Sequence, residues 1–398
     1  MALESTYFDS KEKFMPSPTA TPPASGHIKE IIGHIAHGTA TTRSELAKVL
    51  GLAPSTVSLR VAELTELGMI IEDGTGVSRG GRKPRTLRLR EDGGYIMAAD
   101  LGGHHVRIGR FSVTGTLLEA QSLPLQIDQG PEPSLRIVAD AMAAMAGRAG
   151  GGRAAIKGVG MALPGPVDLE TGDVNLPSRM PDWPGFGVRA WLENEFGAIA
   201  VVDNDANLCA LGEHLAHLGP EHHSITVKAG TAIGSGIIVR GELYRGSTGA
   251  AGDVTHTRVA AAGDEPCSCG NTGCLETVAS GAGLVRQLRR QGVDVESTED
   301  VLALVRKADP LATTMLRTAG TYLGEVLSSV VNFFNPDALY LTGGMAANEL
   351  YIAAVRSRVY EGCHPLVTQK LRIQAASTGP DAGLHGAAHL VLTRILGA

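Results

Sequence analysis

Apolar residues recur at helical spacing from His27 onward. Ile28, Ile31, Ile32 and Ile35 form one stripe, which predicts a helix stopped by Gly38. Thr42-Arg43-Ser44-Glu45 fits a capping box, and Leu46, Val49 and Leu50 give the short helix behind it an apolar face. Gly51-Leu52 makes a turn, and Pro54 suits the first position of a third helix with Val57, Val61, Leu64 and Leu67 on one side and Gly68 at its end. A strand (69–72), a Gly-rich turn with Arg79, Arg82, Lys83 and Arg85, and a second strand (86–90) follow. Three short helices and a two-stranded wing predict a winged helix-turn-helix over 27–92, its third helix offered to the major groove of DNA.

Beyond residue 93 the pattern turns α/β. Strands are predicted at 95–100, 105–113 and 117–125, a helix at 134–149, and a strand at 155–163 that runs into Pro164-Gly165-Pro166-Val167-Asp168. A second meander, 224–227 and 236–239, repeats the strand, glycine turn and strand of the first. That weak duplication predicts a body of two lobes with a cleft between them. The C-terminal third reads as helices at 298–332, 349–360 and 383–396 around one strand, 338–341, ending in Gly343-Gly344.

Composition sharpens the division. The chain has 398 residues, room for two or three domains at roughly 150 residues each. Its net charge of −6 is unevenly spread, because residues 27–90 carry ten Lys and Arg against six acids. A small basic module on an acidic body predicts nucleic-acid contact at one end. A basic run can equally be a solvated face, but its place after three helices favours DNA. In the third helix Ser55, Thr56, Ser58 and Arg60 are the candidate contacts, with Arg79, Arg82, Lys83 and Arg85 adding the wing. Residues 1–26, rich in Pro, Ser, Thr and Ala, have little to bury and read as a disordered tail. No apolar run approaches the roughly 18–20 residues of a membrane helix, and the N-terminus lacks a signal-peptide core, so a cytoplasmic protein is expected.

Three motifs offer chemistry. Asp100-Leu101-Gly102-Gly103 and Gly230-Thr231-Ala232-Ile233-Gly234-Ser235-Gly236 are glycine turns whose amides could cradle phosphate, or simply tight turns. Asp203-Asn204-Asp205-Ala206-Asn207 ends a strand and opens a helix, where it can supply a general base or an N-cap. Cys267, Cys269 and Cys274, with His256 eleven residues before the first, have the donor set of a tetrahedral structural zinc knuckle. The alternative is a core of free thiols, which Ser268, Gly270 and Asn271 argue against.

These motifs, with Leu163-Pro164-Gly165-Pro166-Val167-Asp168, Ala251-Gly252-Asp253-Val254-Thr255-His256 and Cys267-x-Cys269-x4-Cys274-x-Glu276, resemble the ROK family of repressors and sugar kinases. The resemblance runs from about residue 27 to the end. It implies an actin-like, ASKHA-type sugar-kinase fold for 93–398, with a zinc knuckle at 256–274. It also implies a sugar held by Gly165, Asn204, Asp205, Asp253, His256 and Glu276, with His256 shared between zinc and sugar and Asp205 the catalytic base of any phosphoryl transfer.

The departures from the family pattern are specific. His104-His105 stand where kinases of the family carry Thr-Lys, Ala232 replaces a glycine, and Asp253 and Thr255 replace Glu and Gly. The sugar site is therefore expected to be kept, and ATP and Mg to be lost as cofactors. The reading that follows is a sugar-responsive DNA-binding regulator, a repressor of carbohydrate-metabolism genes. It is expected to act as a homodimer or homotetramer on double-stranded operators that are inverted repeats. The competing reading is an ATP-dependent sugar kinase carrying a DNA-binding domain, supported by Asp205 and the Gly343-Gly344 turn.

Overall fold

The computed structural model describes residues 24–36, 38–73, 85–90, 93–168, 170–175 and 180–396. The stretch read as a tail lies outside these as far as residue 23. The first helix, α1 (Ala24–Ala36), begins three residues before the predicted start. It is followed by α2 (Arg43–Leu50), α3 (Pro54–Glu66) and the antiparallel pair β1 (Ile70–Asp73) and β2 (Thr86–Leu89). The capping box forms as read: Thr42 accepts the Glu45 amide, and Glu45 accepts the Thr42 amide at 3.0 Å. Ile28, Ile31, Ile35, Leu46, Val57, Val61, Leu64 and Leu87 close the core of this module.

Two expected core residues are not in it. Val49 and Leu67 are exposed. Leu67 follows the last residue of α3, so the helical stripe no longer carries it inward. On α2 the covered face instead runs through Leu46, Ala47 and Leu50.

The body is built on two five-stranded sheets of the same design. The first is ordered β5-β4-β3-β6-β7, from β3 (Tyr95–Leu101), β4 (His105–Ser112), β5 (Leu117–Pro124), β6 (Ile156–Leu163) and β7 (Ile199–Asn204). The second is ordered β10-β9-β8-β11-β12, from β8 (Ser224–Ala229), β9 (Ile233–Val239), β10 (Glu242–Tyr244), β11 (Ala338–Thr342) and β12 (Arg372–Ala375). In each, an antiparallel meander is joined to two parallel strands beyond its first member. The duplication suggested by the sequence is thus a repeated topology.

Helices α4 (Pro131–Arg148) and α5 (Val188–Phe196) belong to the first lobe. The second carries α7 (Glu276–Ala279), α8 (Gly281–Arg290), α9 (Thr298–Arg306), α10 (Pro310–Phe334), α11 (Glu349–Gly362) and α12 (Pro365–Thr368). Helix α6 (Asp205–His217) and the final α13 (Ala382–Ile395) pack against each other between the sheets. The single helix expected over 298–332 is two: Ala308 turns into the left-handed region at φ 59°, and Asp309 caps α10 with Pro310 in its first turn.

Strand β3 is buried on both faces, which its near-continuous apolar run requires. Met97, Ala99 and Leu101 face the core with α4, while Ile96 and Ala98 face Leu384, Ala387, Ala388 and Val391 of α13. Glycine makes the close approach of α13 feasible. A Cβ on Gly386 would overlap the Leu208 carbonyl oxygen of α6, and one on Gly160 of β6 would lie 2.7 Å from the Ala387 carbonyl oxygen. Glu213 of α6, wholly buried, accepts the Ser377 amide at 2.8 Å and the Thr378 amide at 3.1 Å, fixing the turn that leads to α13. At its far end α13 lays Leu392, Ile395 and, just beyond, Leu396 on the winged-helix core beside Val113.

Candidate functional site

The apolar strand β7 delivers Asp203 and Asn204 to the head of α6, where every polar atom acquires a job. Asn204 is the N-cap: its Oδ1 accepts the amides of Ala206 at 3.0 Å and Asn207 at 3.2 Å, and its Nδ2 donates to the Gly165 carbonyl at 3.0 Å. The N-cap reading of the motif is realised in Asn204, whose side-chain amide also reaches the Pro164–Val167 turn. Asp203 is buried. Its Oδ1 accepts from Asn207 Nδ2 at 3.0 Å, and its Oδ2 takes Nε and Nη2 of Arg245 at 3.0 and 2.7 Å.

Asp205, the candidate base, already has a donor on each oxygen. Its Oδ1 accepts the Ala206 amide and its Oδ2 accepts from Lys228 Nζ, both at 2.8 Å. Lys228, from β8 of the second sheet, also lies 3.5 Å from Oδ1 of Asp100 at the end of β3 in the first. Asp100 is buried, and that oxygen has no hydrogen-bond partner. Burial pushes Asp100 up to about 6 against the pull of Lys228. Burial also works against the Lys228 ammonium, but the two facing carboxylates prevail and hold its pKa well above the ordinary lysine value. Lys228 and Arg245 were not singled out from the sequence. The available signal was a lysine inside the otherwise apolar run Ile225-Thr226-Val227-Lys228-Ala229.

The remaining sugar-site candidates sit around β9. Glu276, buried at the start of α7, accepts the Ile233 amide at 3.1 Å, and Asp253 accepts the Thr255 amide at 3.1 Å. Ser235 donates to the Gly252 carbonyl, and Thr255 to that of Ile233. Gly165, Asn204 and Asp205 are thus joined directly, while Asp253 and Glu276 are organised separately by β9. Arg245 ties the connection after β10 to Asp203.

The first glycine turn is crowded. The His105 ring lies over Gly102, so that a Cβ there would be 2.8 Å from His105 Cε1. Burial, then the neighbouring Lys228 and His104, pull His105 below the ordinary histidine range. In the second turn, the Gly230 and Thr231 carbonyls accept the amides of Gly281 and Ala282, at the start of α8.

The knuckle gathers the four predicted donors. Ligand atoms of His256, Cys267, Cys269 and Cys274 all lie within 4.8 Å of one another. Gly270 and Gly273 adopt φ of 92° and 76°, and a Cβ on Gly273 would be 2.6 Å from the Gly263 carbonyl oxygen. Burial and then hydrogen bonds with its neighbouring thiols push Cys274 up to about 12, whereas at Cys269 burial is outweighed by hydrogen bonds with the Asn271 backbone and the neighbouring thiols, which lower it. Three sulfurs and an imidazole at this spacing fit a tetrahedral thiophilic ion, which would hold them as thiolates.

On the proposed DNA face, Ser55 is exposed and Thr56 and Ser58 are half-buried, the Ser58 carbonyl accepting from Arg43 at 3.0 Å. Arg60 is already paired with Glu63 at 2.8 Å, and Arg85 with Glu72 at 3.2 Å. Arg79, Arg82 and Lys83 lie outside the described residues.

A winged helix followed by two lobes of repeated topology, with a cluster of polar residues bridging the two sheets and a Cys3His knuckle, defines a DNA-binding domain joined to an actin-like, sugar-kinase-type body. The chain belongs to the ROK family, whose sequence profile matches residues 96–394, and a winged helix-turn-helix DNA-binding profile matches residues 29–71. It is 28% identical over 370 residues to the xylose repressor of Bacillus spizizenii, covering 92% of this chain and 95% of that one. A glucokinase from Streptomyces griseus, solved with glucose and AMPPNP, matches with a TM-score of 0.65 and 27% identity over 75% of this chain and all but 1% of its own. A ROK family transcriptional regulator homologous to the Escherichia coli MLC protein shares the fold across 94% of this chain and 96% of its own, with a TM-score of 0.76 and 24% identity. Among the described residues, no helix is long and apolar enough to cross a membrane.

Proposed function

We propose that this protein is a sugar-responsive repressor: a sugar bound between the lobes changes how the winged helix sits on its operator. The observation that carries this is α13, which lies against Asp100 through Gly383 and packs through Leu392 and Ile395 on the apolar cluster that the winged helix shares with Val113. Gly165, Asn204, Asp205, Asp253, His256 and Glu276 would supply paired acceptors and donors to sugar hydroxyls. Ser55, Thr56 and Ser58 would read the groove. Arg60, Arg79, Arg82, Lys83 and Arg85 would meet phosphates, the arginines paired with Glu63 and Glu72 exchanging partners to do so. Zinc is the ion assigned to the knuckle, with a structural role because all four ligands come from protein. With one His256 nitrogen on zinc and the other on the sugar, metal and ligand affinity would be coupled. Residues 27–92 and 93–398 would be the two functional units, working in a symmetric oligomer on inverted repeats.

The test is operator binding by the zinc-loaded full-length protein across hexoses, pentoses including xylose, and amino sugars such as N-acetylglucosamine. One sugar should change operator affinity, and binding should weaken steeply with salt. Binding unchanged between low and physiological salt, or indifference to every sugar, would overturn the reading.

A second reading, an ATP-dependent sugar kinase, is favoured by the retained Asp205 and the likeness to glucokinase. ADP release with Mg-ATP and the same sugars, abolished in Asp205→Asn, would establish it.

A further inference from the structure

Phosphoryl transfer from a nucleotide needs two things of a cleft. A divalent cation must have access to carboxylate oxygens, and a carboxylate must be free to receive the proton of the attacking hydroxyl. The residues here fit neither need. The Oδ2 of Asp205 already accepts from the Lys228 ammonium at 2.8 Å, and its Oδ1 accepts a backbone amide. Beside it Oδ1 of Asp100 is buried and lacks a hydrogen-bond donor, and its nearest cation is that same ammonium at 3.5 Å. One positive charge thus stands within reach of two carboxylates from different parts of the fold.

We infer that Lys228 is a tethered cation that takes the place of a divalent ion between Asp100 and Asp205, so that the cleft binds its ligand without metal and without transferring phosphate. This rests on the sugar-cleft reading above for the identity of the ligand, but not for the position of the charge. A lysine suits the role because an ammonium is a compact point charge with three donors on a flexible stem, able to serve carboxylates that share no plane. It cannot do what a dissociable ion does. It bears no exchangeable ligand position for nucleotide phosphates, and it stays with the protein when the cleft is empty. Because Asp100 is on the first sheet and Lys228 on the second, the charge also clasps the two lobes together. The altered turns at His104, His105 and Ala232 then become secondary: a cleft whose cation seat is filled from within gains little from an intact phosphate loop.

The inference predicts a gain of ion binding when the ammonium is removed. Lys228→Ser leaves Asp100 and Asp205 facing an open space, a pair of hard oxygen donors of the kind Mg2+ and Mn2+ accept together with water. Zinc-loaded full-length protein would be titrated with Mn2+ alone by calorimetry and by its effect on thermal unfolding. The same titration would be run on Lys228→Ser, Lys228→Gln and the double variant Lys228→Ser/Asp100→Asn.

The expected result is Mn2+ binding about tenfold or more tighter in Lys228→Ser than in wild type, with a rise in Tm that the double variant loses. Lys228→Gln keeps most of the length of the side chain and a donor towards Asp205, and serves in place of Lys228→Ser if the shorter side chain fails to fold. It should show the same gain in smaller measure. Equal Mn2+ affinity in wild type and in whichever variant folds would overturn the inference, as would a gain that survives Asp100→Asn. The sugar panel, run on the same samples with and without added Mg2+, separates the two claims. A wild type that binds no sugar would sink the sugar reading, while the ion titration still decides the role of Lys228.

Discussion

The pair in which two Arg245 nitrogens donate to one oxygen of Asp203 offers a quantitative test of how the site is held. Asp203 is 2% exposed, and its Oδ1 keeps two donors of its own, the Asn204 amide at 2.7 Å and Asn207 Nδ2 at 3.0 Å. Arg245→Met would leave Oδ2 with no partner while preserving most of the apolar stem. Removing one member of a buried pair typically costs about 3–5 kcal/mol, and the two surviving donors on Oδ1 place this case near the lower end, about 3 kcal/mol. For a cooperative body of roughly 300 residues, an unfolding entropy of about 2.1 cal/mol/K per residue converts that into a fall in Tm of about 5 °C. Urea unfolding and differential scanning calorimetry would measure it.

The decisive comparison is the cycle with Asp203→Asn. If the cost is an uncompensated buried charge, Asp203→Asn/Arg245→Met should be more stable than Arg245→Met alone by about 1–2 kcal/mol. Sugar affinity should fall in both, because Asp203 orders the residues at the head of α6. Arg245→Met within about 0.5 kcal/mol of wild type, the range of ordinary surface changes, would refute the argument. So would a double variant no more stable than the single.

Other expectations follow from single features. Gly386→Ala drives a methyl into the Leu208 carbonyl, and should either prevent soluble expression or cost about 3 kcal/mol or more by urea unfolding. Thr42→Ala removes the cap of α2 and should lower stability by about 1 kcal/mol, with operator binding reduced while the sugar site is untouched. Asp100 takes up its proton at about 6 in the folded protein, against an ordinary 3.8, so the folded state holds a proton that the unfolded chain has lost between those values. Its contribution to stability must therefore fall as pH rises from about 4 to about 6, and Asp100→Asn should gain on wild type over that window in paired urea titrations. With zinc in the knuckle as proposed, Cys274→Ser, or chelation of the wild type, should lower the zinc content measured by atomic emission and weaken sugar binding with it; loss of zinc with unchanged sugar affinity would separate the knuckle from the sugar site.

Local signals in the sequence translated well into structure. The Thr42–Glu45 capping box, Pro54 in the first turn of α3, the cysteine spacing and the repeated meander all depend on neighbours a few residues apart, or on a period that one strand can display. What escaped notice depends on distant chain segments meeting. Lys228 is defined by Asp100 and Asp205, and Arg245 by Asp203, and no window of sequence contains these pairs. Arg60 illustrates the same limit at short range: its spacing suggested DNA, but Glu63, one turn on, occupies it in the structure. The break between α9 and α10 was written in Asp309-Pro310, a cap followed by a first-turn proline, yet the apolar periodicity on either side concealed it.

The position of α13 carries a thermodynamic consequence. From Gly383, against the Asp100 carboxylate, to Ile395, on the winged-helix core, is about 18 Å along one helix at 1.5 Å per residue. If that helix is the link between cleft and operator, the coupling it transmits has to be reciprocal. The factor by which a sugar changes operator affinity must equal the factor by which the operator changes sugar affinity. A short operator duplex would then act as an effector of the sugar site, and the two measured factors would have to agree whichever ligand is added first.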